Sequence, residues 1–149
     1  MLIREMNEQD LEQVAELEKY CFGESAWSLN AFRSALSDSN ALYLTAVENN
    51  SGCVLGCCGV WQSFEDGEVM NVMVRPDMRG KGCGAAMLKE LFRLSGKRGI
   101  ENFTLEVREG NLPALRLYES LGFVSAGIRK NFYDNPKENA VIMWKRKSD

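Results

Sequence analysis

The chain has 149 residues, 45% hydrophobic and 26% charged, with a formal net charge of −3 and a pI near 5.2. That composition fits one soluble domain spanning residues 1–149, and its acidic balance disfavours nucleic acid as a direct partner, because such binders carry a basic stripe. Histidine is absent, which removes Ser-His and Cys-His nucleophilic pairs and histidine-ligated metals together, so any acid or base must be Glu, Asp, Tyr, Lys or Cys.

Leu2 to Glu5 can make a short first strand, and Asn7 begins a helical pattern in which Leu11, Val14, Ala15 and Leu17 share a face until Cys21-Phe22-Gly23. A second helix follows Ser28, with Leu29, Phe32, Ala35 and Leu36 at helical spacing and Ser37-Asp38-Ser39-Asn40 closing it. Leu42 to Val47 and Cys53 to Trp61 read as a hairpin around Glu48-Asn49-Asn50-Ser51-Gly52. After the turn Glu65-Asp66-Gly67, the run Glu68 to Val74 is too continuously apolar for a half-exposed strand, so a central strand covered on both faces is expected. Leu88, Leu91, Phe92 and Ser95 then mark a helix that Gly96 and Gly99 should stop. Asn102 to Val107 alternates, with Phe103, Leu105 and Val107 on one side and Thr104, Glu106 and Arg108 on the other. Asn111 is a good N-cap for a short helix through Leu121, with Pro113 in its first turn and Gly122 ending it. Phe123 to Lys130 and Ala140 to Lys145 form a closing hairpin around Asp134-Asn135-Pro136-Lys137. Helices early, an antiparallel meander and then one strand-helix-strand-helix passage make the fold class α+β.

The five cysteines, Cys21, Cys53, Cys57, Cys58 and Cys83, are odd in number and contain no C-x-x-C pair, so reduced core thiols are expected, with no metal. No apolar run reaches the length of a membrane span, and Met1-Leu2-Ile3-Arg4-Glu5 lacks the apolar stretch of a signal peptide; a cytoplasmic protein with no membrane partner is expected, as a monomer or weak homodimer.

The densest chemical signal is Arg79-Gly80-Lys81-Gly82-Cys83-Gly84, followed by Ala85, between a buried strand and an amphipathic helix. Glycines let backbone N–H groups approach one anion, and the helix start adds its positive dipole end, so the segment suits a phosphate; Arg79 and Lys81 add charge. A tight surface turn explains a glycine triplet equally well. The Walker pattern is absent, since no Gly-Lys-Ser/Thr follows. Gly80-x-Gly82-x-x-Ala85 satisfies a dinucleotide pattern, but Arg75-Pro76-Asp77-Met78-Arg79 separates it from its strand and roughly half the chain lies upstream, where a dinucleotide loop follows its strand almost at once and opens the domain.

Asn71-Val72-Met73-Val74, then Pro76-Asp77, then Arg79-x-x-Gly82-x-Gly84 resemble the acetyl-CoA motif of the GNAT family of N-acetyltransferases, and the order of elements is similar over the whole chain. Leu105-Glu106-Val107-Arg108, Asn111, Ala114, Leu117 to Phe123, Arg129 to Tyr133 and Ala140 to Met143 resemble its bacterial ribosomal-protein-alanine N-acetyltransferases, the RimI type. The resemblance implies a GNAT fold, a mixed and largely antiparallel sheet of about seven strands with four helices and a splayed central strand pair. It implies direct transfer of an acetyl group from acetyl-CoA to a protein N-terminal α-amine, here the N-terminal alanine of a small-subunit ribosomal protein. Val72, Met73 and Val74 would hold the thioester by their backbone, Arg79 to Ala85 the pyrophosphate, and Asn111 would contact the cofactor. Glu106 would be the base and Tyr118 the acid that protonates the departing thiolate; Trp27 and Tyr133 would wall the acceptor groove.

From the residues alone, a solvated strand glutamate is the favoured reading of Glu106 and a core aromatic the commoner reading of Tyr118, while a helix cap explains Asn111 and core packing explains Trp27 and Tyr133 equally well. Cys83 has no activating partner and reads as a small packed residue. The chain departs from the RimI pattern at Ala26-Trp27, where Pro-Trp is usual, and at Phe132-Tyr133 and Glu138-Asn139-Ala140, where paired tyrosines and Glu-Asp-Ala are common. Two alternatives stand beside this reading: acetylation of a small-molecule amine (polyamine, amino acid or antibiotic) and a non-catalytic CoA-binding sensor.

Overall fold

A computed structural model describes residues 1–147. Seven strands, β1 (Leu2–Glu5), β2 (Ala41–Val47), β3 (Val54–Ser63), β4 (Asp66–Val74), β5 (Asn102–Arg108), β6 (Val124–Tyr133) and β7 (Glu138–Lys145), form one sheet in the order β1-β2-β3-β4-β5-β7-β6. The helices are α1 (Leu11–Phe22), α2 (Leu29–Leu36), α3 (Cys83–Lys97) and α4 (Leu112–Ser120). Every neighbouring strand pair is antiparallel except β4 and β5, which the crossover through α3 makes parallel. The mixed α+β expectation, with its seven strands and four helices, is the observed architecture.

The sheet is covered on both faces at β2. Along β2, Leu42, Leu44 and Ala46 join one cluster with Met87, Leu88 and Leu91 of α3, while Ala41, Tyr43 and Val47 join another with Leu11, Val14 and Leu17 of α1 and Phe32 of α2. The period of two along the strand against the 3.6 of the helices produces this sorting. Local signals place the ends: the Ser28 side chain accepts from Ala31 N at the start of α2, and Asn111 from Ala114 N at the start of α4. Asn7 caps a single 3-10 turn, Glu8–Asp10, before α1 begins, and Asp10 completes its capping box.

Two expectations need correction. Gly96 does not stop α3, which runs to Lys97; the turn comes at Gly99, whose φ of 87° only glycine adopts readily. Nor is β4 covered on both faces: it is the middle strand in order, yet Met70, Asn71, Val72 and Val74 are only half-buried, and β2 is the strand buried along its whole length. The reason is the pairing of β4 with β5, which lasts only for Asp66↔Asn102, Gly67↔Phe103 and Glu68↔Thr104. Beyond these residues β4 stays with β3 and β5 with β7, so a wedge opens between them.

Candidate active site

The wedge between β4 and β5 organises the site. From Met70 to Val74, β4 has a hydrogen-bonded neighbour on one edge only, so backbone groups along the other edge face the gap. The register of β3 against β4 shifts here: Cys57 pairs Met73 and Gly59 pairs Met70, so Asn71 and Val72 together oppose Cys58. Asn71 sits at φ 54°, a left-handed conformation that asparagine tolerates better than most residues. Of the strand residues singled out in the sequence, Met73 is buried in the α1–α2 cluster, while Val72 and Val74 pack partly on the α3 side.

At the end of β4 the chain makes a 3-10 turn, Pro76–Met78, and enters α3 through the glycine segment. Gly80 and Gly82 have φ of 75° and 83°, and a Cβ added to either would meet no atom within 4 Å. Gly82 is the N-cap, so no side chain covers the first amides of α3, and its first turn carries no acidic residue. Exposed Lys81 lies beside them. This is an uncapped, open cradle whose unsatisfied N–H groups and dipole suit an anion. Exposed Arg79 ties the segment to β4 and α1, its Nε donating to Val74 O at 3.1 Å and its Nη2 lying 3.6 Å from Cys21 Sγ. Gly84 faces across the wedge, where a Cβ would stand 3.3 Å from Leu117 Cδ2 of α4 and 3.6 Å from Val74 Cγ2. Ala85 follows it, half-buried, in the first turn of α3. Cys83 is buried, and burial pushes its thiol up, as suits a packed residue rather than a nucleophile.

On the β5 side, Glu106 stands on the polar edge of the alternation, its side chain 20% exposed. Its Oε1 lies 3.5 Å from Arg129 Nη1, while its Oε2 is buried without a hydrogen-bond partner among the described residues. An unpartnered buried carboxylate oxygen is costly unless another donor meets it. Tyr118 is buried in α4, its ring edge-to-face with Phe123 at 5.8 Å. Burial drives its phenol well above the ordinary value, with the nearby Cys58 and Tyr133 adding to the effect. Tyr133 is half-buried, and burial followed by the Glu106 charge raises its phenol too. Asn111 is exposed at the start of α4 and spends its side-chain oxygen on the cap.

Several residues that sequence reasoning missed hold this end together. The Arg108 guanidinium lies 4.5 Å over the Tyr133 ring, donates to the carbonyls of Asp134 and Pro136, and pairs with Glu138 at 3.1 Å. The other Glu138 oxygen accepts from Gly110 N at 2.6 Å, fixing the turn between β5 and α4. At Asn139, where Asp is common in the RimI type, the side-chain oxygen accepts from Asn131 N at 3.0 Å, a task a carboxylate performs equally, while its nitrogen donates to Glu109 Oε1 at 3.5 Å, which a carboxylate does not. Trp27 is half-buried, with its ring 5.2 Å from Phe32 and 5.9 Å from Tyr43, so most of it belongs to the core.

A family model described as "Acetyltransferase (GNAT) family" matches residues 4–123. A protein from Escherichia coli (strain K12) named [Ribosomal protein bS18]-alanine N-acetyltransferase is 34% identical over 119 residues, 78% of each chain. A protein of the same name from Haemophilus influenzae is 30% identical over 145 residues, covering 95% of this chain and 96% of that one. The crystal structure of the ribosomal-protein-S18-alanine N-acetyltransferase from Escherichia coli superimposes with a TM-score of 0.86 at 30% identity, covering 99% of this chain and 94% of that one.

Proposed function

Because the chain belongs to the GNAT family of acetyltransferases, we propose that it uses acetyl-CoA to acetylate a protein N-terminal α-amine in the cytosol, with the N-terminal alanine of a small-subunit ribosomal protein as acceptor. The relatives' names support the acceptor, and coverage of 78% to 99% of this chain supports carrying it over. The observation that carries the reaction is the wedge itself, which has an open amide cradle at one wall and, at the other, a buried carboxylate oxygen with no partner among the described residues.

When bound, acetyl-CoA supplies a thioester whose carbonyl carbon accepts an amine and whose sulfur leaves. The backbone N–H groups at residues 80–85 and the dipole of α3 bind the diphosphate, and Lys81 adds charge. The free edge of β4 around Val72, Met73 and Val74 offers backbone donors to the carbonyl oxygen where negative charge develops. Glu106 takes the proton that an α-ammonium must lose; with a pKa of about 7.7 to 8.0 for that group, a modest base suffices. As the new C–N bond forms and the C–S bond breaks, Tyr118 gives its proton to the leaving sulfur and takes back the second proton that the acceptor nitrogen sheds; its raised phenol is protonated in the resting protein. Tyr133, held by Arg108, and the open part of Trp27 border the acceptor's path.

The test is a panel of acceptors with acetyl-CoA and the purified protein: alanine-initiated peptides, including the bS18 N-terminus, against polyamines, amino acids and aminoglycosides. Acetylation of the peptides at the α-amine is expected. Turnover confined to the small amines, or CoA binding with no turnover at all, would overturn the reading.

A further inference from the structure

Among the described residues two carboxylates are deeply buried, Asp10 at 3% and Glu18 at 2% exposure. Asp10 has the Arg4 guanidinium, whereas among the described residues no cation pairs with Glu18. Instead Glu18 Oε2 accepts from Trp27 N at 2.7 Å and Oε1 from Asn71 Nδ2 at 3.0 Å. The chain continues inward: Asn71 Oδ1 accepts from the Tyr43 hydroxyl at 2.6 Å, and Asn71 O accepts from the Cys57 thiol at 3.2 Å. With both Glu18 oxygens accepting, the Asn71 amide turns its nitrogen toward Glu18 and its oxygen toward Tyr43, whose hydroxyl therefore donates. Glu18 lies on the apolar face of α1 beside Val14 and Leu11, a position where a leucine would pack at no desolvation cost. The carboxylate thus joins three separate elements at one point: α1, the segment entering α2, and the left-handed residue of β4.

We infer that Glu18 is a positioning residue for acetyl transfer. It clamps the Asn71 kink that aims the free β4 edge at the wedge, and it holds the Trp27 segment against the same kink. The inference rests on the proposed acetyl-transfer reading and adds a residue to it. Glu18 touches no substrate; it acts on the reaction through the backbone of Asn71 and Val72, where a misplacement of about 1 Å can cost on the order of 100-fold in rate.

Four single substitutions and one double variant test this, with steady-state kinetics on an alanine-initiated peptide. Glu18→Ala should lower kcat on the order of 10- to 100-fold while the KM for acetyl-CoA stays within about threefold, because the glycine cradle is untouched. Glu18→Gln should recover most of the rate: its oxygen accepts from Trp27 N and its nitrogen donates to a turned-over Asn71 amide, whose own nitrogen then meets the Tyr43 hydroxyl. Asn71→Gly keeps the left-handed backbone but deletes the amide; adding Glu18→Ala to it should cost little more, since both act through one clamp. Glu18→Ala strands two buried donors, so where it fails to fold, Tyr43→Phe, which frees only the far end of the chain, carries the test with a smaller fall in kcat at constant KM for acetyl-CoA. Wild-type turnover with unchanged kcat in these variants, or effects of Glu18→Ala and Asn71→Gly that multiply, would overturn the inference alone. Absence of wild-type turnover would overturn the acetyl-transfer reading itself.

Discussion

Replacing Tyr118 with Phe separates chemistry from packing more cleanly than any other change at the site. The Tyr118 ring is buried and packs edge-to-face on Phe123, and its hydroxyl takes part in no hydrogen bond among the described residues. Phenylalanine retains the ring and the aromatic contact and strands no donor or acceptor, so stability should change by no more than about 0.5 kcal/mol, about 1–2 °C in Tm for a chain of this size. If the hydroxyl protonates the leaving sulfur, kcat should fall by about 100-fold, equivalent to about 2.7 kcal/mol of barrier. The KM for acetyl-CoA should hold, because the amides of residues 80–85 bind the diphosphate elsewhere. The sign of the phenol's shift adds a check. Because burial raises it above its ordinary value of about 10, the acid form persists through pH 9, and the wild-type profile should show no alkaline fall from this group below that point. Thiol release with an alanine-initiated peptide, run beside a thermal melt, measures both quantities. A variant with wild-type kcat would refute the acid role, and a large drop in Tm with matching loss of rate would reassign Tyr118 to the core.

Glu106→Gln should reduce turnover at neutral pH and recover part of it as pH rises and the acceptor amine loses its proton unaided; a pH–rate profile parallel to wild type would count against a base. Gly82→Ala adds no clash but places a side chain at φ 83°, so a stability loss of about 1–2 kcal/mol is expected together with weaker CoA binding, read by calorimetry. Gly84→Ala, at 3.3 Å from Leu117, should be nearly neutral in both. For Asp10, burial pushes the carboxyl up, but the Arg4 pair, Asn7 N and the Thr45 hydroxyl outweigh it and hold the group below its ordinary value. Its contribution to stability is therefore complete above the unfolded value of about 4 and disappears as pH falls through the depressed one; Asp10→Asn should destabilise the protein at pH 7 and flatten the acid limb of its denaturation curve.

Periodicity revealed much of this fold because the helices and strands bury one face each: Leu11, Val14 and Leu17 in α1 and Phe103, Leu105 and Val107 in β5 fall where their spacing puts them. The glycine cradle was legible for a different reason, since uncovered amides at a helix start require residues without side chains. The exposure of β4 was not. Its apolar run implies burial, but how long β4 stays beside β5 is set by the crossover and by β7, not by β4's own residues. Glu18 left a trace that went unread: it lies four residues after Val14 and seven after Leu11, on the buried face of α1. Asn71 left another, as the one polar residue in Val69-Met70-Asn71-Val72-Met73-Val74. Spacing alone does not connect the two, and the bond between them is visible only in the fold.

A crystal structure of the protein grown with coenzyme A tests the central claim most directly. The account requires the diphosphate on the backbone amides of residues 80–85 and the sulfur in the wedge between Val72 and the side chains of Glu106 and Tyr118. A ligand bound elsewhere, or a sulfur remote from both side chains, would contradict it.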